Sequence, residues 1–285
     1  MINKNLYGTI GHTILTKGNK KIIVFADKHD KLPKCGESVK IADWFNNKIK
    51  KSKLLLEEVP RGSVELSELW TESEHTQDLK NLYLKNPNII VGLDIRPLVI
   101  PFSWETYKDR YQNNEIESIK IGEYLRPTND FFSLKNQWLI NNFPKYNTKT
   151  LKNTKVGEHF LKIKNNFRYI LVTNKKIFYK TLINVIEQDE NFLYLFNDIL
   201  DQIMEWYICA NVELNTDNNI MIHAGLAHSD VIIDLLRDFY GYTILEENGI
   251  NSMNDLFIND SPIGCTNISS EIDKQFGGTI IRFNL

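Results

Sequence analysis

The stretch 21-KIIVFADKHD-30 decides how this chain is read. After Lys21 it is apolar and rich in β-branched residues to Ala26, then turns ionisable at Asp27-Lys28-His29-Asp30. A short apolar run without polar alternation predicts a strand buried on both faces, as in a parallel sheet. Two more segments repeat the pattern. Ser52–Leu56 runs into Glu57-Glu58, and Asn219–Ile222 runs into His223-Ala224-Gly225-Leu226-Ala227-His228 ahead of a helical stretch. A fourth strand, Asn88–Leu93, ends on Asp94-Ile95-Arg96-Pro97. Open α/β sheets bind ligands outside the carboxyl ends of their strands. The four ionisable ends therefore predict a site on one rim.

Leu6–Leu15 reads as a strand joined to Lys20–Ala26 through the turn Lys17-Gly18-Asn19. Glu37–Lys50 carries Val39, Ile41, Ala42, Phe45 and Ile49 near helical spacing, and Lys53–Leu56 follows as a buried strand. Such a strand–helix–strand unit crosses over right-handed onto a parallel sheet. After Pro60-Arg61-Gly62 an acidic helical stretch runs to about Lys85. Residues 98–217 differ: they are rich in aromatics, mainly helical and broken at Pro101, Pro127 and Pro144, with Phe192–Ile208 as one packed helix. They read as a helical insertion or cap over the sheet rim. Residues 218–246 return to strand–helix–strand, with Ser229 as N-cap and Gly241 as stop, and Thr279–Phe283 is a candidate last strand. The predicted fold is α/β: one domain over residues 1–285, with a central mixed, mainly parallel sheet flanked by helices and 98–217 inserted.

The bulk numbers exclude several classes. With 285 residues, 42% hydrophobic and 25% charged, the chain has an ordinary globular composition. A net charge of −2 supplies no global field for nucleic acid or a membrane surface. Residues 145–180 are basic with interleaved aromatics, and an amphipathic helix with a solvated lysine face is the preferred reading over a nucleic-acid grip. No run is long enough to span a bilayer, and no apolar h-region follows the N-terminus. Cys35, Cys209 and Cys265 are odd in number, widely spaced and form no C-x-x-C, which fits a reducing compartment such as the cytosol and argues against a disulfide framework or a zinc ribbon. There is no P-loop and no Gly-rich dinucleotide turn.

The candidate site residues follow from the strand ends. Asp27 and His29 lie two apart, so an extended backbone would put both side chains on one side, where they can share a water or a metal. Of Glu57 and Glu58, one points away from the core, and a pair with Arg61 or Arg96 is the structural alternative, itself able to hold an anion. His228 falls at a helix N-terminus, where the dipole favours a neutral ring able to act as base or ligand. His223 reads as a satisfied core histidine, His75 as a solvated surface residue, and Gly157-Glu158-His159 as a loop or helix start.

Taken in order, Ala26-Asp27-Lys28-His29, Leu56-Glu57, Asp94-Ile95-Arg96 and Gly225-Leu226-Ala227-His228 resemble the erythromycin esterase/TraB–Tiki/ChaN-like superfamily. The Ala-Gly-x-x-His form is similar to uncharacterised members encoded by large DNA viruses. The resemblance covers about half the chain and leaves 98–217 without support. It implies a mixed sheet flanked by helices with a site at the strand ends. Members include ester hydrolases, proposed metalloproteases and haem-binding proteins, so the fold alone does not set the activity. Ala26 stands where Gly is usual and Asp27 where Glu is more common.

The leading functional expectation is a hydrolase acting on an ester or amide bond of a small-molecule or peptide substrate. His29 would be general base on water or, with a divalent metal as optional cofactor, a ligand together with Asp27, Glu57 and His228. His228 would be the second base, and Arg96, paired with Asp94, would hold an oxyanion or an anionic substrate, with Arg61 as a further anion contact. The alternative is a non-catalytic binding or structural component, such as a virion or assembly protein working with other virion proteins in the host cytoplasm or particle. A further alternative is a metallophosphoesterase, whose opening Asp-x-His is present at Asp27-Lys28-His29 but whose bridging ligands are missing.

Overall fold

In the structure, a computed structural model, residues 4–61, 73–143, 145–146, 148–259 and 263–277 are described. The expected strand Thr279–Phe283 and the first part of the acidic helical stretch lie outside them. The chain opens with β1 (Lys4–Tyr7), β2 (Gly11–Lys17), β3 (Lys20–Asp27), β4 (Val39–Lys40), α1 (Ile41–Lys48), β5 (Lys53–Leu56), α2 (Glu74–Lys85) and β6 (Ile90–Gly92). Eight helices follow: α3 (Trp104–Gln112), α4 (Ile121–Tyr124), α5 (Arg126–Phe132), α6 (Gln137–Asn142), α7 (Thr148–Leu151), α8 (Lys155–Thr173), α9 (Leu182–Gln188) and α10 (Glu190–Glu213). The chain then forms β7 (Asn219–Gly225), α11 (Leu226–Asp234), β8 (Thr243–Gly249), α12 (Met253–Ile258), β9 (Cys265–Ile268) and α13 (Ser270–Gln275).

The fold is α/β, as expected. Six strands form a sheet in the order β6-β5-β7-β3-β2-β8. The first four are parallel, and β2 and β8 extend the sheet antiparallel beyond β3. The all-apolar segment Ile22–Ala26 is buried because β3 lies between β2 and β7 with helices against the sheet. Phe25, Trp44, Phe45, Leu54, Leu56, Leu79 and Met221 pack in one cluster, each burial contributing about 1.5–3 kcal/mol.

The expected strand Leu6–Leu15 is two strands in two sheets. Gly8 has φ +101°, a left-handed conformation open to glycine, and the chain turns there. Thus β1 leaves the main sheet and joins a small one in the order β4-β1-β9. This also shortens the expected helix Glu37–Lys50: Val39 and Lys40 pair with Leu6 and Tyr7, so α1 starts at Ile41. At the other junction α11 starts at Leu226 with Gly225 as N-cap. Ser229 is therefore inside the first turn and donates to the Ala224 carbonyl at 2.9 Å instead of capping.

The chain divides into two compact units, one made of the described residues up to Leu93 and from Asn215 onward, the other of Asp94–Leu214. The region expected as an insertion thus closes as a unit of its own. It is helical, with an aromatic core that includes Phe131, Phe160 and Trp206. Helix α8 is amphipathic: Val156, Phe160, Ile163 and Phe167 are buried on one face. Tyr146 and Phe167, two of the aromatics among the 145–180 lysines, are core residues and cannot stack on bases.

The reading of the cysteines against disulfides is corrected. Cys35 and Cys265 form a disulfide with Cα atoms 6.3 Å apart, tying the loop after β3 to the start of β9. Spacing could not reveal a pair 230 residues apart that forms only because β9 returns beside β1. The argument from cysteine usage for a reducing compartment falls with it. Cys209 is free and buried. Among the described residues no helix is long and apolar enough to cross a membrane.

Candidate functional site

Three parallel strand ends build the site, all within the sheet-bearing unit. Register puts Asp27 of β3 beside Gly225 of β7, and Leu56 of β5 beside His223. The residue after Leu56 is Glu57, whose N–H donates to the His223 carbonyl at 3.0 Å, so the strand pairing carries on into the site. Asp27 and Glu57 are both buried, with side-chain exposures of 0% and 4%.

His29 spans the two carboxylates. Its Nδ1 lies 2.9 Å from Asp27 Oδ2 and its Nε2 lies 3.4 Å from Glu57 Oε2. The reason is not the extended pleat that the Asp-x-His spacing suggests. His29 has φ +45°, a left-handed conformation uncommon for a side-chain-bearing residue, and the turn folds its ring back over the strand ends. Asp27 Oδ1 accepts from the Lys28 N–H at 2.7 Å, closing that turn.

His228, in the first turn of α11, places Nε2 3.8 Å from Glu57 Oε1. The Gly225 N–H, at the N-terminus of the same helix, donates to Glu57 Oε2, and the helix dipole favours the carboxylate there. His223 is a satisfied core residue, its Nε2 3.1 Å from the Gly8 carbonyl. Asp27, His29, Glu57 and His228 are therefore brought together.

His75, read as a surface residue, is 3% exposed and places Nε2 2.9 Å from Asp27 Oδ1. Sequence reasoning missed it because His75 sits on α2, a helix whose polar composition hides which turn faces the sheet. Glu58 is also buried and lines the site.

The remaining expected residues have other partners. Arg61 lies over the Tyr83 ring, 4.7 Å from its centroid, and its guanidinium donates to the Tyr83 carbonyl. Asp94 and Arg96 belong to the helical unit and pair as anticipated, with Arg96 Nε 2.8 Å from Asp94 Oδ1. Arg96 Nη1 also meets Asp201 at 2.8 Å, so an anion held there would compete with two carboxylates.

Charge follows from this geometry. An ionised carboxylate only accepts hydrogen bonds, so both His29 nitrogens carry protons when both acids are ionised. Burial lowers the His29 pKa, but hydrogen bonding to the Asp27 and Glu57 carboxylates and the charges of both outweigh it and push it up to about 10. Burial raises the Asp27 carboxyl, yet His29 and His75 as hydrogen-bond partners bring it below its ordinary value. Glu57 is lowered in the same way, against burial, by His29, the charge of His228 and the Gly225 N–H. His29 thus rests as an imidazolium between two carboxylates. That revises its expected role: at neutral pH the basic partner in the pair is Glu57.

Among the described residues no group of three or more His, Cys, Asp or Glu side chains is arranged to hold a metal ion. Both His29 nitrogens face carboxylate oxygens, at 2.9 and 3.4 Å. The expected ligand set Asp27, His29, Glu57 and His228 gains no support, nor does the two-metal phosphoesterase alternative. Beside the cluster lies a space of about 20 Å³ bounded by Asp27, His29, Glu57, Glu58, Thr76 and His223. It has the volume of one water molecule and several polar groups to hold it.

Gly225 is the tightest constraint on this geometry. A Cβ there would stand 2.8 Å from His29 Nε2 and 3.4 Å from Glu57 Oε2. Gly225→Ala is expected to fold, since its φ of −55° suits alanine and the clash is with a side-chain ring. It should displace His29 and, for any reaction that uses the ring, lower its rate about 100-fold. Equal turnover in alanine and wild-type protein would show that the ring's position is not critical.

Comparison with known proteins finds no matching family model, no similar curated protein and no similar solved structure.

Proposed function

We propose that this protein hydrolyses an ester or amide bond of a small-molecule or peptide substrate, at the carboxyl rim of the sheet. The observation that carries the reading is the His29 ring held between the Asp27 and Glu57 carboxylates, 2.9 and 3.4 Å away, next to a small polar space. The strand-end motifs resemble the erythromycin esterase/TraB–Tiki/ChaN-like superfamily, whose members include ester hydrolases, and this agrees with the same class. In this reading Glu57 takes a proton from the attacking water, assisted by His228. His29 Nε2–H stabilises the developing oxyanion and gives its proton to the leaving oxygen or nitrogen. The proton on Glu57 then returns to His29 across their 3.4 Å contact, restoring both groups. Asp27 keeps the ring oriented throughout.

The test is a panel of chromogenic esters and anilides with purified protein, at pH 7 and with and without a chelator. Turnover that survives chelation is expected. A second reading rests on Ala26 and Asp27, which stand where the resembling superfamily usually has Gly and Glu. It takes the chain as a non-catalytic binding or assembly component that retains the fold. No turnover of any substrate across the panel favours that reading and removes the hydrolase.

A further inference from the structure

We propose that His75 is a positioning residue for this site, the inner end of a chain of alternating imidazoles and carboxylates. The chain runs His75, Asp27, His29, Glu57, His228, with successive contacts of 2.9, 2.9, 3.4 and 3.8 Å. It crosses from α2 through the ends of β3 and β5 to α11. Side-chain exposure is 2% at His75, 0% at Asp27, 27% at His29, 4% at Glu57 and 14% at His228. The inner end is thus sealed and the outer end reachable.

His75 Nε2 faces an acceptor-only oxygen, so it carries the ring proton and donates to Asp27. Its Nδ1 is buried with no hydrogen-bond partner among the described residues. A buried histidine satisfied on one nitrogen only carries a desolvation cost for the other. The packing around it is specific as well. A Cβ on Gly8 would stand 2.8 Å from His75 Cβ, so glycine at that turn lets the ring approach, while the Gly8 carbonyl holds His223. With Lys28 N–H and His75 both on Oδ1, Asp27 keeps Oδ2 turned to His29 Nδ1. The His75 bond therefore selects the carboxylate rotation that orients His29. Its contribution to turnover rests on the hydrolase reading; its effect on the His29–Asp27 bond does not.

The experiment compares wild type with His75→Leu, which removes the donor, and His75→Gln, whose amide can replace Nε2–H. The probe independent of activity is the proton NMR signal of His29 Nδ1–H in the full chain, assigned by its loss in His29→Ala. We expect a downfield, exchange-protected signal in wild type and in the glutamine variant, and its loss in the leucine variant. On any ester turned over by wild type, kcat should fall 10–100-fold in His75→Leu with KM unchanged, and return to within about threefold in His75→Gln. If leucine does not fold, His75→Asn, too short to reach Asp27, takes its place. A leucine variant with the wild-type signal overturns the proposal, as does equal loss in leucine and glutamine variants, which would mean packing alone. If wild type turns over nothing, the hydrolase reading fails while the NMR comparison still decides the role of His75.

Discussion

In the proposed hydrolase, His29→Ala is expected to reduce hydrolysis by about 1,000-fold or more while the protein stays folded. The loss follows from the position of the ring. In the proposed mechanism it is the proton donor of the site and the shuttle that restores Glu57, and general acid–base steps of this kind contribute about 100- to 10,000-fold. The fold survives because neither carboxylate is stranded. Asp27 keeps the Lys28 N–H and His75, and Glu57 keeps the Gly225 N–H and His228 nearby. Steady-state turnover on a substrate from the panel, with near-ultraviolet circular dichroism as the control for folding, makes the measurement. Unchanged turnover in a folded variant would eliminate the assignment.

Asp27→Asn acts on stability first. Asp27 has no exposed surface, lies between His29 and His75, and also feels the charge of His223. Removing its charge leaves the imidazolium of His29 with Glu57 alone and takes one acceptor from a group with two buried donors. Breaking a buried, hydrogen-bonded ion pair from one side costs about 3–5 kcal/mol. That corresponds to a fall in melting temperature of roughly 10 °C for the sheet-bearing unit.

The same substitution should change the pH dependence. The His29 pKa is raised, to about 10, so its stabilisation is complete below its unfolded value near 6.5 and is lost as pH climbs through 10. The Asp27 and Glu57 values are lowered, so theirs is complete above an unfolded value near 4 and is lost as pH falls below it. Wild-type stability from this cluster should therefore be greatest at about pH 4 to 6.5 and decline toward pH 10. Asp27→Asn should flatten the alkaline decline. Thermal melts of both proteins across pH 4 to 10 check this; superimposable curves would show that Asp27 and His29 are not coupled.

Much of the sheet was legible along the chain. Lys53–Leu56 coincides with β5, and Lys20–Ala26 with β3 to within its last residue, because fully buried parallel strands are continuous apolar runs with charged ends. Boundaries failed where a single residue changes the chain's direction, as at Gly8, or where pairing competes with helix, as at Val39–Lys40. The convergence of Asp27, His29, Glu57 and His228 was also foreseeable, since each follows a strand that ends on one rim. The reason for the Asp27–His29 contact was not: a left-handed turn, not strand alternation, brings the ring round.

Local pattern thus established the α/β class, the parallel strands and which acids and imidazoles stand at their ends. These follow from nearest-neighbour chemistry: hydrophobic runs, turn residues and the polarity of strand termini. The partners of each group were settled only by folding. His75 joins Asp27 across 48 positions, Glu57 meets Gly225 across 168, and Cys35 finds Cys265 across 230. Protonation belongs with these, because a histidine's pKa depends on how deeply it is buried and on which charges surround it. His29 is an imidazolium because two distant strands deliver carboxylates to its two nitrogens, and nothing within the run Asp27-Lys28-His29 specifies the second of them.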